Sequence, residues 1–246
     1  MKSVLLPKPI LLFTLALVMF FAPKVQSQNN ALWVGGGIQT SKMDDMKYLQ
    51  EIIQEVILEN YLVEERISSS FPTYVMGSFG FMHQLYPSVR IGAGYGYSST
   101  GAKSNYTDYS GYVTTLMNAV SHRAGGHVSY SVFAGEWYDF SLYGRLDIKY
   151  TLMEITSSLY ALGASAITIN KYSSMSLGGA GGAEFLVHFN KYSFGVEGGY
   201  EIDAQGKLSN TETKEDLFDP NDQNRVLTSD WSGWYAQLKF MLWLDL

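Results

Sequence analysis

The sequence contains no cysteine. A lipoprotein needs a cysteine directly after its signal segment, so that kind of lipid anchor is excluded, and so are disulfide bonds and cysteine-zinc sites. Long apolar runs are also scarce, because no stretch after the first 27 residues is apolar enough for a membrane helix. Basic residues are few, with 17 Lys and Arg against 23 Asp and Glu. Such an acidic chain argues against nucleic acid as a partner.

Residues 1–27 have the pattern of a secretory signal. Two lysines supply a basic start, residues 10–22 supply an apolar core, and Val25 and Ser27 are small enough for a cleavage site. The alternative is a transmembrane anchor, but the apolar run is too short to cross about 30 Å of hydrocarbon as a helix. Cleavage would remove three lysines and no acid, and would change the formal charge from −6 to −9.

Residues 174–202 carry the clearest structural pattern. Apolar or small residues alternate with polar ones on both sides of Asn190 and Lys191, which predicts two strands joined by a two-residue turn. The pattern recurs along the chain in strands of about ten residues. The 18 tyrosines and 24 glycines suit a barrel with aromatic girdles. The sequence therefore predicts a single all-β domain over residues 28–246, a transmembrane antiparallel up-and-down β-barrel.

Eight strands are predicted, with three tight turns on one side of the barrel and longer connections on the other. The strands cover residues 29–40, 73–84, 88–98, 126–135, 140–154, 174–189, 192–202 and 233–246. Long connections are expected over residues 99–125 and 156–174, and a long acidic loop over residues 203–232. Ten strands are the alternative, if residues 112–120 and 160–169 pair as two more.

Residues 42–67 follow a different period. Apolar residues recur at steps of three and four from Met46 to Ile67, with Asn60 interrupting the stripe, and this predicts an amphipathic helix in the first long loop. Asp44 and Asp45 suit its first turn. The helix is interpreted either as packed on the rim of its own barrel, or as a lid or docking helix for a surface or periplasmic protein.

Aromatic residues are predicted to form two girdles, and both termini are predicted to lie in the periplasm, as an even strand count requires. The periplasmic girdle is assigned to Trp137, Tyr138, Tyr192 and Trp243. The outer girdle is assigned to Trp231, Trp234, Tyr97 and Tyr200.

The hairpin of residues 174–202 and two upward strands, SVRIGAGYGYSS and FSLYGRLDIKY, resemble small outer-membrane β-barrel domain proteins, the OmpW- and OmpX-like group common in Bacteroidota. The likeness covers most of residues 73–246, although the family's first loop usually lacks so long a helix. The resemblance implies a location in the outer membrane. It also implies either a narrow channel for small, often hydrophobic molecules, or a structural and adhesive role.

Charged residues on the inner face of the strands form the candidate site. If Asn190 and Lys191 are a two-residue turn, Glu184 lies directly opposite Glu197, and like charges in this position destabilise a strand pair. We therefore expect a cation to bridge them, from Arg145, Lys149 or Lys239. The interpretation is a structural salt-bridge plug, or a gate in a narrow pore. The predicted lumen charges are Arg90, Arg145, Asp147, Lys149, Glu184, Glu197, Glu201 and Lys239.

Enzymatic and metal-binding functions have weak sequence support. His127 and Ser129 resemble the His-x-Ser of lipid A deacylases, but both point inward by parity, whereas a lipid arrives from outside. His122 and His127 are too sparse for a metal site, and as candidate ligands both are expected in a solvated loop. Residues 219–222 lack the glycine and the distal glutamate of a calcium loop. No catalytic residue, metal or cofactor is predicted.

The resulting expectation is a small, non-enzymatic outer-membrane barrel that passes or binds a small hydrophobic or polar solute. The first alternative is a structural or surface-interaction protein that acts through its outer loops. The remote alternative is a lipid A-modifying enzyme. Apart from the lipid bilayer, the predicted partners are the solute and a protein bound through residues 42–67.

Overall fold

A computed structural model describes residues 29–61, 66–109, 111–161 and 164–244. The predicted signal segment, residues 1–27, lies outside the described residues. Eight long strands form the body of the protein: β1 (Asn30–Gln39), β2 (Tyr74–Tyr86), β3 (Val89–Asp108), β4 (Gly111–Ala134), β5 (Tyr138–Ala161), β6 (Ala164–Phe189), β7 (Tyr192–Asp203) and β8 (Gly233–Leu244).

The eight strands close into a ring. Each strand pairs antiparallel with its neighbour in the chain, and β8 pairs with β1 from Gln39 opposite Tyr235 to Asn30 opposite Leu244. Closure leaves no edge within the wall, which is what a strand needs when no water is available for its backbone groups. The predicted eight-stranded up-and-down barrel is confirmed.

The wall alternates as predicted, with apolar side chains outward and polar or small ones inward. Leu146 is 76% exposed on the outer face, whereas its neighbour Asp147 is 5% exposed in the lumen. Along the outer face of β5 and β6, counted from the turns at residues 135–137 and 190–191, the first charged side chains are Glu154 and Lys171. They form an ion pair of 3.6 Å. Below this level the outward positions of the described strands carry no Asp, Glu, Lys or Arg, as a lipid-facing band requires.

We call the two ends of the barrel the turn end and the loop end. The turn end carries the connections around residues 87–88, 135–137 and 190–191. Asn190 has φ of 54°, which allows the tight turn predicted there, and Phe189 pairs with Tyr192 as expected. The loop end carries the helix and the acidic loop.

Two of the four predicted long connections are wrong. Residues 99–108 and 111–125 continue β3 and β4, and residues 156–161 and 164–174 continue β5 and β6. The ten-strand alternative is wrong as well, because residues 112–120 and the described residues of the second segment, 160–161 and 164–169, are extensions of the eight strands. They lack an apolar outer face because they extend past the lipid, where both faces meet water, the helix or the acidic loop.

The helix α1 (Asp44–Tyr61) confirms the 3.6-residue stripe but ends earlier than predicted. Residues 62–65 lie outside the described residues, and Arg66–Ser70 is a short strand that pairs with β3. Among the described residues, no helix combines the length and apolar character needed to cross a membrane.

The acidic loop between β7 and β8 contains local strand pairs. Gly206–Lys207 pairs with Thr228–Ser229, and Phe218–Asp219 pairs with Asp222–Val226. Ser209–Asn210 extends the sheet at Tyr172 and Ser173 of β6. The last of these pairs attaches the loop to the wall.

Candidate functional site

All eight predicted lumen charges lie inside the barrel. Seven are at most 5% exposed, and the side chain of Arg145 is 11% exposed. They form two groups at different heights in the lumen.

The group nearer the turn end is centred on Glu184 and Glu197, which face each other across β6 and β7 as the turn predicts. The Lys239 ammonium forms ion pairs with both carboxylates, at 3.2 Å to Glu197. Of the three expected cations, Lys239 therefore makes the bridge, and it converts a repulsive pair into a bridged triad. Arg90 adds a second cation, 3.2 Å from both Glu184 and Asp139.

The group nearer the loop end is centred on Glu201. Its carboxylate pairs with Arg123 at 2.8 Å, Arg145 at 2.7 Å and Lys149 at 2.6 Å. Arg145 also contacts Asp147, with its Nε 2.6 Å from the carboxylate. Arg145 and Lys149 therefore bind Glu201 and not the Glu184–Glu197 pair.

Three lumen charges were missed in the sequence. Arg123 fell in a predicted connection, Asp139 in a predicted turn and Asp203 in the predicted acidic loop. Strand parity could have identified each of them, because Arg123 has the same parity as His127, and Asp203 the same parity as Glu201. With these three, the described lumen holds five basic and six acidic side chains, so nearly every charge has an opposite partner inside.

Between the two groups lies a layer of aromatic side chains. The hydroxyls of Tyr143 and Tyr235 are hydrogen-bonded, and the Arg145 guanidinium lies 5.4 Å from the centre of the Tyr235 ring. The His127 ring packs on Tyr143 with centroids 5.4 Å apart. The lumen cavity beside His127 measures about 20 Å³, which is room for about one water molecule.

An apolar cluster fills the lumen at the turn end. Ala31, Met82, Leu186 and Met241 are fully buried there, and two tryptophans, Trp33 and Trp243, pack against them. The placement of Trp243 in the periplasmic girdle is therefore wrong. Its indole points inward and donates a hydrogen bond of 2.8 Å to the Ser193 hydroxyl, because position 243 has the inward parity of β8.

A larger apolar cluster closes the loop end. It combines Met43 and α1 with inward residues of β2–β5 and the acidic loop, and its buried members are Met43, Met46, Leu49, Phe71, Tyr74, Ala102, Met117, Ala119, Met153, Ile155, Leu208, Leu227 and Trp231. The placement of Trp231 in the outer girdle is therefore wrong. Trp231 is 1% exposed, packs edge-on against Tyr74 and donates a hydrogen bond to Thr151.

The remaining girdle residues lie on the outer face or at a turn. Trp137, Tyr192, Tyr97 and Trp234 are 62%, 48%, 43% and 68% exposed. Tyr200 packs edge-on against Trp234, and Tyr138 against Trp137, each with centroids 5.0 Å apart. His122 lies among them and not in a loop, because its ring is hydrogen-bonded to Tyr95 and packs against Tyr97.

The helix α1 is fastened to the acidic loop at Asp45. Its carboxylate accepts hydrogen bonds from the Thr228 backbone N–H at 2.9 Å and the Thr228 hydroxyl at 2.7 Å, and it pairs with Arg225. This ion pair raises the pKa of the Arg225 guanidinium. The first half of the apolar face predicted to dock a partner is used here, because Met46 and Leu49 are buried in the mouth, whereas Val56 further along the helix is 50% exposed.

The residues of the deacylase alternative are engaged inside the barrel. Ser129 is 1% exposed, and its hydroxyl accepts a hydrogen bond from Arg90 Nε at 3.1 Å. His127 faces the lumen, as its parity predicts, and packs on Tyr143, so the solvated loop expected for it is wrong. Within the described ranges there is no group of three His, Asp or Glu side chains placed to hold a metal ion.

Beyond the level of Glu154 and Lys171, β3–β6 continue as a four-stranded sheet, which we call the projecting sheet. It extends about 20 Å further, at about 3.4 Å per residue. Arg66–Ser70 covers its β3 edge. On its β6 edge, residues 164–170 have no strand paired to them within the described chain.

No protein-family model and no curated protein matches this chain. Among solved structures it is similar to Ail, the attachment invasion locus protein of Yersinia pestis, with 12% identity and a TM-score of 0.38 over 88% of this chain and 99% of that one. It is also similar to Neisserial surface protein A, with 9% identity and a TM-score of 0.35 over 89% and 98% of the two chains. A structure of Ail in complex with the heparin analogue sucrose octasulfate matches with 12% identity and a TM-score of 0.37, over 88% and 99% of the two chains. These neighbours are small outer-membrane β-barrel proteins, and they do not confirm the finer OmpW- and OmpX-like assignment.

Proposed function

We propose that this protein is a non-enzymatic outer-membrane barrel that acts by binding at the cell surface, through its projecting sheet. In this proposal residues 1–27 direct export, the turn end and both termini face the periplasm, and the loop end faces outward. Short turns inside and long elements outside are the usual arrangement of such barrels.

The observation that carries the proposal is the contrast between the lumen and the projecting sheet. The lumen charges are paired with one another, and an apolar cluster covers each end. The projecting sheet, in contrast, offers a broad outer face and one open edge. Exposed sheet surface of this kind is suited to protein or ligand contacts, whereas paired and buried charges have little left to offer a solute.

The narrow channel expected from the sequence has less support, because a solute would have to displace both apolar clusters and the ion pairs between them. A deacylase has less support still, because Ser129 and His127 are enclosed by the wall that separates them from lipid.

The test uses thiol labelling. Because the chain contains no cysteine, a single introduced cysteine is the only site that a maleimide can label. Ser158→Cys places a thiol on the outer face of the projecting sheet, and Glu136→Cys places a matched thiol at the turn end. Each refolded variant is coupled to a bulky polyethylene glycol maleimide, embedded in nanodiscs and attached to fluorescent beads. Bead retention is then measured on epithelial cells, on immobilised matrix proteins and on mucin.

We expect retention on at least one of these surfaces, lost when the label is at position 158 and kept when it is at position 136. Retention on none of them, or equal loss with both labels, would contradict surface binding through the projecting sheet.

A further inference from the structure

The outer face of the projecting sheet has an unusual composition at its far end, which we call the tip face. The last row across the four strands is Thr107, Tyr112, Tyr160 and Ser165, each paired with the next. The row below it is Asn105, Thr114, Ser158 and Ile167. The tip face therefore has two aromatic rings at its centre, surrounded mainly by hydroxyl and amide groups.

The two tyrosines form an ordered aromatic pair. Their rings are inclined by 17° with centroids 5.7 Å apart, and they are 39% and 40% exposed. Cross-strand pairing places both side chains on one face and limits their rotamers. The pair is therefore a ready-made aromatic surface that keeps its shape when a ligand arrives, so little entropy is lost on binding.

The centre of the tip face is also electrically neutral. None of the eight side chains in its two rows is charged. The nearest cations lie at the β3 edge, where Arg66 pairs with Asn105 and Lys103 lies one row below. A sulfated or otherwise anionic ligand would find these cations at the edge and none beside the tyrosine rings. A neutral ligand would find aromatic faces, which attract weakly positive C–H groups, and short polar side chains that can donate and accept hydrogen bonds.

We propose that the tip face binds a neutral glycan, with pyranose rings packed on Tyr112 and Tyr160. This proposal rests on the proposed function, because it names the ligand class of the same projecting sheet. A pyranose has an apolar face of C–H groups and a rim of hydroxyls. It therefore matches a surface that is aromatic at its centre and hydroxylated around it.

A protein partner fits this surface less well. Stable protein interfaces bury about 800 Å² on each side around a desolvated core, whereas the tip face is shallow and its apolar part is limited to two half-exposed rings and Ile167. A protein strand added to the open edge at residues 164–170 would contact the backbone of β6 and would not depend on the tyrosine rings.

The experiment measures binding of the refolded barrel in nanodiscs to an array of immobilised neutral, sialylated and sulfated oligosaccharides. Tyr112→Ser and Tyr160→Ser remove one ring each, and Tyr112→Phe keeps the ring without its hydroxyl. Tyr109→Ser is the matched control, because Tyr109 is a fully exposed tyrosine at the same tip but outside the pair. Folding of each variant is checked by its heat-modifiable mobility on gels.

We expect binding to neutral oligosaccharides that weakens about tenfold or more in either serine variant. The Phe variant and the Tyr109 variant should bind within about threefold of the original chain, a difference below about 0.7 kcal/mol. A preference for sulfated glycans, or equal loss in all four variants, would overturn the proposal.

The bead assay separates the two proposals. If beads are retained through the projecting sheet but the array shows no neutral glycan, surface binding stands and the glycan assignment fails. The same holds if the serine variants leave bead retention unchanged. If neither assay shows binding, both proposals fail.

Discussion

At the scale of single residues, the lumen is organised by a few shared partners. Glu201 forms ion pairs with three cations, and Lys239 forms ion pairs with two carboxylates. Such sharing makes each member depend on the others, because removing one partner leaves a buried charge of the opposite sign without compensation.

Lys239→Met should lower the free energy of unfolding by about 3–5 kcal/mol, because Glu184 and Glu197 would then face each other without their bridge. Urea unfolding of the refolded barrel in detergent micelles, followed by tryptophan fluorescence, measures this. Lys171→Met is the control, since its ion pair with Glu154 is exposed and worth less than about 1 kcal/mol. Equal effects of the two substitutions would mean that the buried triad does not stabilise the barrel.

The glycines of β5 and β6 differ by the face on which they lie. A Cβ at Gly182, in the lumen, would lie 2.1 Å from the Gly198 carbonyl oxygen and 2.6 Å from the Tyr143 hydroxyl, whereas a Cβ at Gly144, on the outer face, would meet nothing closer than 3.9 Å.

Gly182→Ala should therefore reduce stability by about 3 kcal/mol or more, or prevent refolding, because backbone atoms cannot move away cheaply. Gly144→Ala is the matched control and should refold with unchanged yield. Refolding yield and the urea midpoint provide the comparison. A Gly182→Ala barrel as stable as the Gly144→Ala barrel would show that the lumen is more loosely packed than the structure indicates.

At the scale of elements, α1 and the acidic loop act as one cap. Together they place Met46, Leu49, Leu208, Leu227 and Trp231 in one cluster. Asp45 ties the two segments together at the polar rim of this cluster.

Asp45→Asn should loosen the cap without loosening the barrel, because it removes the charge that binds Arg225 and weakens the bonds from Thr228. Local opening of α1 should become easier by about 1–3 kcal/mol. Hydrogen exchange of the α1 amides, compared with that of β5, measures the effect. Asp44→Asn is the control, since Asp44 is exposed at the adjacent position. Equal protection in the two variants would contradict a fastening role for Asp45.

At the scale of the whole molecule, the barrel has three levels: an apolar cluster at the turn end, a charged middle and an apolar cap below the projecting sheet. Eight strands leave an interior that side chains can fill. Here the two apolar clusters, the ion pairs and the tyrosine layer occupy it, beside a cavity of about 20 Å³. The wall supports the projecting sheet and gives it a fixed orientation.

The refolded barrel should give no discrete conductance steps in a planar bilayer, because the ion pairs and the two apolar clusters occupy the path through the lumen. An open porin inserted in the same bilayer is the positive control. Folded insertion of the barrel is checked by protease protection of the wall. Discrete steps that change with Lys239→Met would contradict a closed lumen and would restore the channel interpretation.

The number of strands, their order and the facing of most lumen charges followed from the sequence alone. Side chains alternate strictly between the two faces of a strand. Because the face toward lipid must be apolar, the sequence itself alternates between apolar and polar residues. The two-residue turn at Asn190 and Lys191 sets the register of its hairpin, and this register places Glu184 opposite Glu197.

Only the tertiary structure decided where the strands end, that Trp231 lies inside the mouth and how the mouth is closed. Above the lipid the outer face no longer has to be apolar, so the extensions of β3–β6 had the composition of loops. Trp231 lies outside the long strands, and only its packing against Tyr74 shows that it is inside the mouth. The inward parity of Trp243 on β8, in contrast, was readable in the sequence. The contacts that bring α1 and the acidic loop together join residues about 180 positions apart, and no local pattern specifies such a pairing.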